Sequence, residues 1–185
     1  MNLESKRLIL KELTWKDLDN IHTLHSYPEV EEFNTIGIPE SVEDTREIIR
    51  PAIEDQHLKT VGSPKRKQFG WCIFINATED FIGEAGMTLS ANRFKIGEIH
   101  YNLLPAYWGN GYATEVTKRL IRFGFEDLKL HRIQAGVVTE NVKSINVLEK
   151  AGMIREGRRR KILPIRGTWK DNYHYAIIED DPRDF

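Results

Sequence analysis

Hydrophobic residues recur along this chain at two spacings, every second residue in some stretches and every third or fourth in others, which separates strands from helices. Arg7 to Leu13 (RLILKEL) predicts a short strand. Thr14, with Asp17 three residues on, is a capping-box-like start for a helix running to about His25. Ser41 and Asp44 repeat that signal for a helix from Val42 to about Gln56, which Pro51 either kinks or splits. Between the two, Ser26 to Glu40 predicts a loop. The polar stretch Lys59 to Lys67, with Gly62, Ser63 and Pro64, predicts a flexible connection.

Gln68 to Ile75, Phe81 to Leu89 and Lys95 to Leu104 are rich in aromatic and branched residues and are parted by turn-like Asn76 to Asp80 and Ser90 to Phe94. They predict three strands joined by hairpins. From Tyr112 to about Asp127 the period becomes helical, with Val116, Leu120, Phe123 and Gly124 on one face. Arg132 to Val138 resumes a strand. Asn141 predicts the N-cap of a helix from Val142 to Ala151, with Ile145, Leu148 and Ala151 inward and Gly152 just past its end. Met153 to Arg159 and Trp169 to Ile178 read as the last strands. This order predicts one mixed α/β domain over residues 1–185, in which a crossover helix joins a parallel pair of strands.

Composition narrows the partners. With 40% hydrophobic and 30% charged residues, and Lys plus Arg (27) nearly balancing Asp plus Glu (28), nothing draws the whole chain to nucleic acid or to an anionic membrane. The single cysteine, Cys72, lies between Trp71 and Ile73 in an apolar strand, so it reads as a buried core thiol rather than a nucleophile. The histidines lack the His-x-x-x-His spacing of metal sites, and no metal is expected. No apolar run of about 18 residues occurs, and the N-terminus has no apolar core behind a basic head, which predicts a cytoplasmic protein. The run Arg158 to Lys161 reads as a solvated strand and loop.

Candidate chemistry concentrates in Leu103-Leu104-Pro105-Ala106-Tyr107-Trp108-Gly109-Asn110-Gly111-Tyr112-Ala113-Thr114-Glu115, where a strand passes through two glycines straight into a helix. The first turn of a helix has N–H groups without intrahelical partners and the positive end of the dipole, so this is an anion site. It lacks the Gly-Lys-Ser/Thr ending of a Walker loop and the third glycine of a dinucleotide fingerprint.

Gly111-Tyr112-Ala113 opening a helix after a hairpin-built strand, followed about 30 residues later by Asn141, Ser144 and Gly152, resembles the GNAT superfamily of N-acetyltransferases. The resemblance is nearest to the branch with the ribosomal-protein N-terminal (alanine/serine) acetyltransferases. It extends to Ser5-Lys6-Arg7-Leu8-Ile9-Leu10-Lys11, Tyr27-Pro28-Glu29-Val30, Gly97-Glu98-Ile99-His100-Tyr101 and Trp169-Lys170-Asp171. Trp108 stands where the general superfamily pattern has Gln or Arg, a mark of this branch.

The resemblance implies a mixed, mostly antiparallel sheet of about six to seven strands flanked by about four helices. It implies acetyl-CoA as co-substrate, its pyrophosphate held by main-chain N–H groups from Gly109 to Thr114, with Leu103, Leu104, Trp108, Asn110, Tyr112, Ala113, Asn141 and Ser144 along the coenzyme. Glu98 is the expected general base, directly or through water, and His100 the second choice; both alternate onto one strand face with Asn102, opposite Ile99, Tyr101 and Leu103. Where many members place a tyrosine as general acid, this chain has Leu148. That leaves Ser144, on a first helical turn, as the expected partner of the departing thiolate, while Tyr101 is expected to pack. The long loop with Glu32, Phe33 and Asn34 and the region of Trp169 and Asp171 are expected to wall the acceptor groove. The expected acceptor is a protein or peptide N-terminal α-amine. The alternatives are a small amine (antibiotic, polyamine or amino acid) or a noncatalytic acyl-CoA-binding module, in a monomer or a homodimer.

Overall fold

The structure, a computed structural model, describes residues 1–58, 66–183 and 185. The connection predicted over Lys59 to Lys67 therefore lies, over 59–65, outside the described residues. Eight strands form one sheet: β1 (Leu3–Glu4), β2 (Leu8–Glu12), β3 (Gln68–Ile75), β4 (Phe81–Leu89), β5 (Ile96–Leu103), β6 (Arg132–Val138), β7 (Ile154–Ile165) and β8 (Thr168–Ile178). Their order across the sheet is β1-β2-β3-β4-β5-β6-β8-β7. Each neighbouring pair is antiparallel except β5 and β6, which are parallel and joined by the helix α4 (Tyr112–Arg122), as such a pair requires.

Period-two alternation sorts the strand residues onto two faces. Phe69, Trp71, Ile73, Ala85, Met87, Ile99 and Leu103 are buried with Val116, Leu120 and Ile121 of α4 and with Leu148 of α5 (Val142–Lys150). Phe123 stands edge-on to Phe69 and Trp71, with ring centroids 5.4 and 5.3 Å apart, an arrangement that aromatic quadrupoles favour. Cys72 faces the other side, in a second core with Leu18 and Ile21 of α1 (Leu18–His25) and Ile49 and Ile53 of α3 (Val42–Glu54). Burial pushes the Cys72 thiol up, in keeping with a core role.

The eighth strand beyond the expected count is the two-residue β1, and the fifth helix is α2 (Pro28–Glu31), set in the segment read as loop. Both are too short for periodicity to register. Pro51 lies inside α3 without ending it, because Ile49 and Ile53, buried two residues to either side, anchor that turn against the sheet. Beyond Arg122 the helical path widens into a π turn over Phe123–Asp127, with Leu128 N–H donating to Phe123 O. β7 runs on through the basic stretch to Ile165 rather than ending near Arg159, its register slipping between Arg159 and Leu163 as it pairs with β8. Among the described residues no helix is long and apolar enough to cross a membrane.

Candidate active site

The parallel pair opens into a cleft. β5 and β6 are in register at Ile96–Arg132, Gly97–Ile133 and Glu98–Gln134 and no further, whereas β4 follows β5 to Leu103 and β8 follows β6 to Val138. Each strand stays with its outer neighbour, and the sheet parts between them. A cavity of about 480 Å³ occupies the gap, lined by Tyr101, Asn141, Ser144 and Leu148 on the α4–α5 face and by Phe33, Asn34, Glu84, Glu98 and His100 on the other. At the two ends of the β4–β5 pairing, Leu104 N–H donates to Ile82 O and Ser90 N–H donates to Ile96 O, which turns the even-numbered backbone groups of β5 toward β4. By alternation the N–H groups of Tyr101 and Leu103 point into the gap.

On the α4–α5 face the glycine loop ends β5. Gly109 and Gly111 have φ of +78° and +77°, conformations that side chains with a Cβ disfavour. Gly111 is the N-cap of α4, yet no side chain caps this helix, while Ser41 caps α3 and Asn141 caps α5 by accepting from Ser144 N–H. The first-turn donors of α4 are thus left for an external acceptor, and nothing lies within 4 Å of where a Cβ on Gly109 would be. An anionic diphosphate fits both features. Trp108 fixes the approach: its indole N–H donates to Leu103 O at 2.7 Å, and Lys143 stands over its ring at 4.2 Å.

The loop is braced from the N-terminus. Glu115 accepts from Ser5 Oγ (2.8 Å), Arg7 N–H (2.7 Å) and Arg7 Nε (2.7 Å), and Arg7 Nη1 donates to Asn110 O at 3.0 Å. Burial disfavours the Glu115 carboxylate, but the Arg7 and Ser5 donors outweigh it and hold its pKa below the usual range.

The opposite face has a different construction. His25 bridges two carboxylates, Nδ1 to Glu31 and Nε2 to Glu84 at 2.7 Å, and Asn102 Nδ2 donates to Glu84 at 3.1 Å. His25 and Glu31 are fully buried. Desolvation alone would lower the His25 pKa, yet its two acidic partners push it up to about 10. Desolvation would likewise raise Glu84, which His25 holds down to about 2. The His100 ring reaches over Gly86, where a Cβ would come 2.3 Å from the ring and 2.8 Å from Phe69 O, so only glycine fits there. His100 keeps an exposed surface in the open cleft, and desolvation by the surrounding wall atoms holds its imidazole below its ordinary pKa, against the pull of Glu84. Glu98 sits at the last paired rung, where Gln134 Nε2 donates to it at 3.0 Å. Asn172 of β8 closes the far wall with a buried Oδ1 that has no hydrogen-bond partner.

Among the residues expected from sequence, Glu98, His100, Asn141, Ser144, Phe33 and Asn34 therefore meet in the cleft. Glu32, Trp169 and Asp171 are not among its lining residues, and neither are Leu103, Leu104 and residues 108–114 of the glycine loop and helix start, which lie at and beyond the end of β5. Glu32 is exposed beside the buried Glu31; Trp169 stands 59% exposed on the β7–β8 ribbon; Asp171 is spent on Arg158 and Lys161 N–H. From the ribbon, Leu163 and Asn172 line the cavity, and its tip reaches the start of α2, where Arg166 donates to Pro28 O. Sequence reasoning missed Arg7, His25, Glu31, Glu84 and Asn172. The one available signal was Ser5-Lys6-Arg7, quoted for the resemblance without a role.

Residues 7–154 match the model of the acetyltransferase (GNAT) domain. The chain is similar to YoaA of Bacillus subtilis strain 168, described as an uncharacterized N-acetyltransferase, with 33% identity over 96% of each chain. Its fold is similar to that of a spermidine N-acetyltransferase from Vibrio cholerae solved with CoA and spermine (TM-score 0.82, 21% identity, 96% and 98% of the two chains). A ribosomal-protein-S5-alanine acetyltransferase from Vibrio fischeri is alike to a similar degree (TM-score 0.80, 22% identity, 98% of each).

Proposed function

Since the chain belongs to the GNAT acetyltransferase family and is an acetyl-CoA-dependent N-acetyltransferase, we propose that its acceptor is the α-amine of a protein or peptide N-terminus. One observation carries this reading: among the described residues lining the cleft, Glu84 and Glu98 are the only carboxylates, and Glu84 is already paired with His25. A single carboxylate, Glu98, met by the neutral amide of Gln134 and not by a cation, suits one amine. A polyamine, with several ammonium groups, would call for several. Phe33, Ile36, Ile48 and Ile49 add apolar wall to the same cavity, as fits an acceptor whose amine is flanked by a side chain and a peptide bond.

In this reading the N–H groups from Gly109 to Thr114 hold the pyrophosphate, and Asn141, whose carbonyl is spent as N-cap, retains its NH₂ for the pantetheine arm. An α-amine of pKa about 8 is partly neutral at pH 7, so modest base assistance suffices. His100, its pKa lowered, takes the proton as nitrogen attacks, and the exposed Glu98 passes it to solvent. The backbone N–H of Tyr101 serves the carbonyl oxygen.

An acceptor screen read by thiol release tests this. Peptides with varied first residues are compared with spermidine and small monoamines. A peptide with kcat/KM at least about tenfold above every small amine supports the reading, and spermidine as best acceptor overturns it.

A further inference from the structure

The leaving thiolate needs a hydrogen-bond donor, and Leu148, at the position where the resemblance leads one to expect a tyrosine, has none to offer. The same face of the cleft holds a tyrosine from another element. Tyr101 of β5 lines the cavity together with Ser144 and Leu148, and its hydroxyl is buried without a hydrogen-bond partner. A buried hydroxyl without a partner is costly, and folded proteins avoid it. The contrast within this molecule is plain: the hydroxyl of Tyr175, on the same sheet face, donates to Glu149 at 2.8 Å. Ser144 faces the Tyr101 hydroxyl without meeting hydrogen-bond geometry.

We propose that the Tyr101 hydroxyl donates the hydrogen bond that stabilises the coenzyme sulfur as the thioester is cleaved, in place of the tyrosine that Leu148 replaces. The amine nitrogen forms its bond to the acetyl carbon, the carbon–sulfur bond breaks, and sulfur keeps the pair. The amine proton leaves on the His100–Glu98 side, so Tyr101 shares its proton with sulfur and never loses it. Burial supports that division of labour, because it pushes the phenol up to about 12, well above a thiol, and makes Tyr101 a donor rather than an acid that ionises. Tyr101 is thereby a catalytic residue whichever amine is the acceptor.

The test needs no acceptor. Free coenzyme A is bound to the wild type, to Tyr101→Phe and to Ser144→Ala, and thiol ionisation in each complex is followed by the ultraviolet absorbance of the thiolate against desulfo-coenzyme A as blank. A donor at the sulfur lowers the bound thiol's pKa. Tyr101→Phe raises it by about one unit, a tenfold change in ionisation constant, and Ser144→Ala moves it by less. With any competent acceptor, Tyr101→Phe also lowers kcat about tenfold or more and changes KM for acetyl-CoA little. Thermal melting separates this from misfolding, since deleting an unpaired buried hydroxyl leaves the melting temperature equal or higher. An unchanged thiol pKa in Tyr101→Phe overturns the proposal, as does a larger shift in Ser144→Ala.

Discussion

The two faces of the cleft are built on opposite principles. On the face proposed for the coenzyme, the groups offered are main-chain donors presented by one continuous segment, Leu103 to Glu115, and the side chains nearby hold that backbone in shape: Trp108 on Leu103 O, Arg7 on Glu115 and Asn110 O. On the face proposed for the acceptor, the groups offered are side chains from α1, α2, β4, β5 and β8, with a charged network around His25. A diphosphate is the same in every reaction of this kind and can be met by invariant backbone. An acceptor differs from enzyme to enzyme and must be met by side chains that can change.

If that contrast is right, damage to one face should leave the other largely intact. Glu84→Ala has the largest expected effect. It deprives a buried, protonated His25 of one partner, which costs about 3 kcal/mol and lowers the melting temperature by roughly 10 °C. Calorimetric unfolding checks this, and the folded fraction at low temperature should bind acetyl-CoA with a Kd within about threefold of wild type.

Gly111→Val strikes the other face. Valine at φ +77° is strained and puts branched carbon beside the α4 donors, so the acetyl-CoA Kd rises about thirtyfold, equivalent to about 2 kcal/mol. The stability lost is the strain alone, and the pH response of the acceptor face is unchanged.

Arg7→Ala is a milder version. The pair with Glu115 is partly exposed, worth about 1 kcal/mol or less, and its loss loosens the loop enough to weaken coenzyme binding about threefold. Salt titration sharpens this, because the wild-type advantage should shrink as ionic strength rises.

The smallest effect near neutrality is on pH dependence. The His25 pKa is raised on folding, so its contribution is complete below its unfolded value of about 6.5 and is lost as pH rises toward about 10. Glu84 is shifted the other way, and its contribution is lost as pH falls below the ordinary carboxylate range. Wild-type melting temperature should therefore decline from pH 7 to pH 9.5, with a shallower slope in His25→Gln. Equal slopes would remove His25 from the account.

The same contrast explains what the sequence made legible. The glycine loop, the capping residues Ser41 and Asn141 and the alternation of Glu98, His100 and Asn102 are local patterns, readable because turn geometry, helix caps and strand pleat each depend on neighbouring residues. The His25–Glu31–Glu84 network joins residues up to 59 positions apart, and no local rule pairs them. Glu31 sits on the four-residue α2, and the expectation fell instead on Glu32, one residue along, because a helix turns neighbours to different sides and a loop reading does not. Tyr101 was placed on the correct face by alternation, but alternation cannot show that nothing across from it would accept its hydroxyl.

The central claim is that backbone donors of the glycine loop bind the coenzyme through its diphosphate. It is tested most directly by titrating wild type and Gly111→Val with acetyl-CoA and with acetyl-pantetheine, which has the thioester arm and no phosphates. Wild type should prefer acetyl-CoA by about a hundredfold or more, and Gly111→Val should lose most of that preference while binding acetyl-pantetheine as before. The same preference in both proteins would contradict the account.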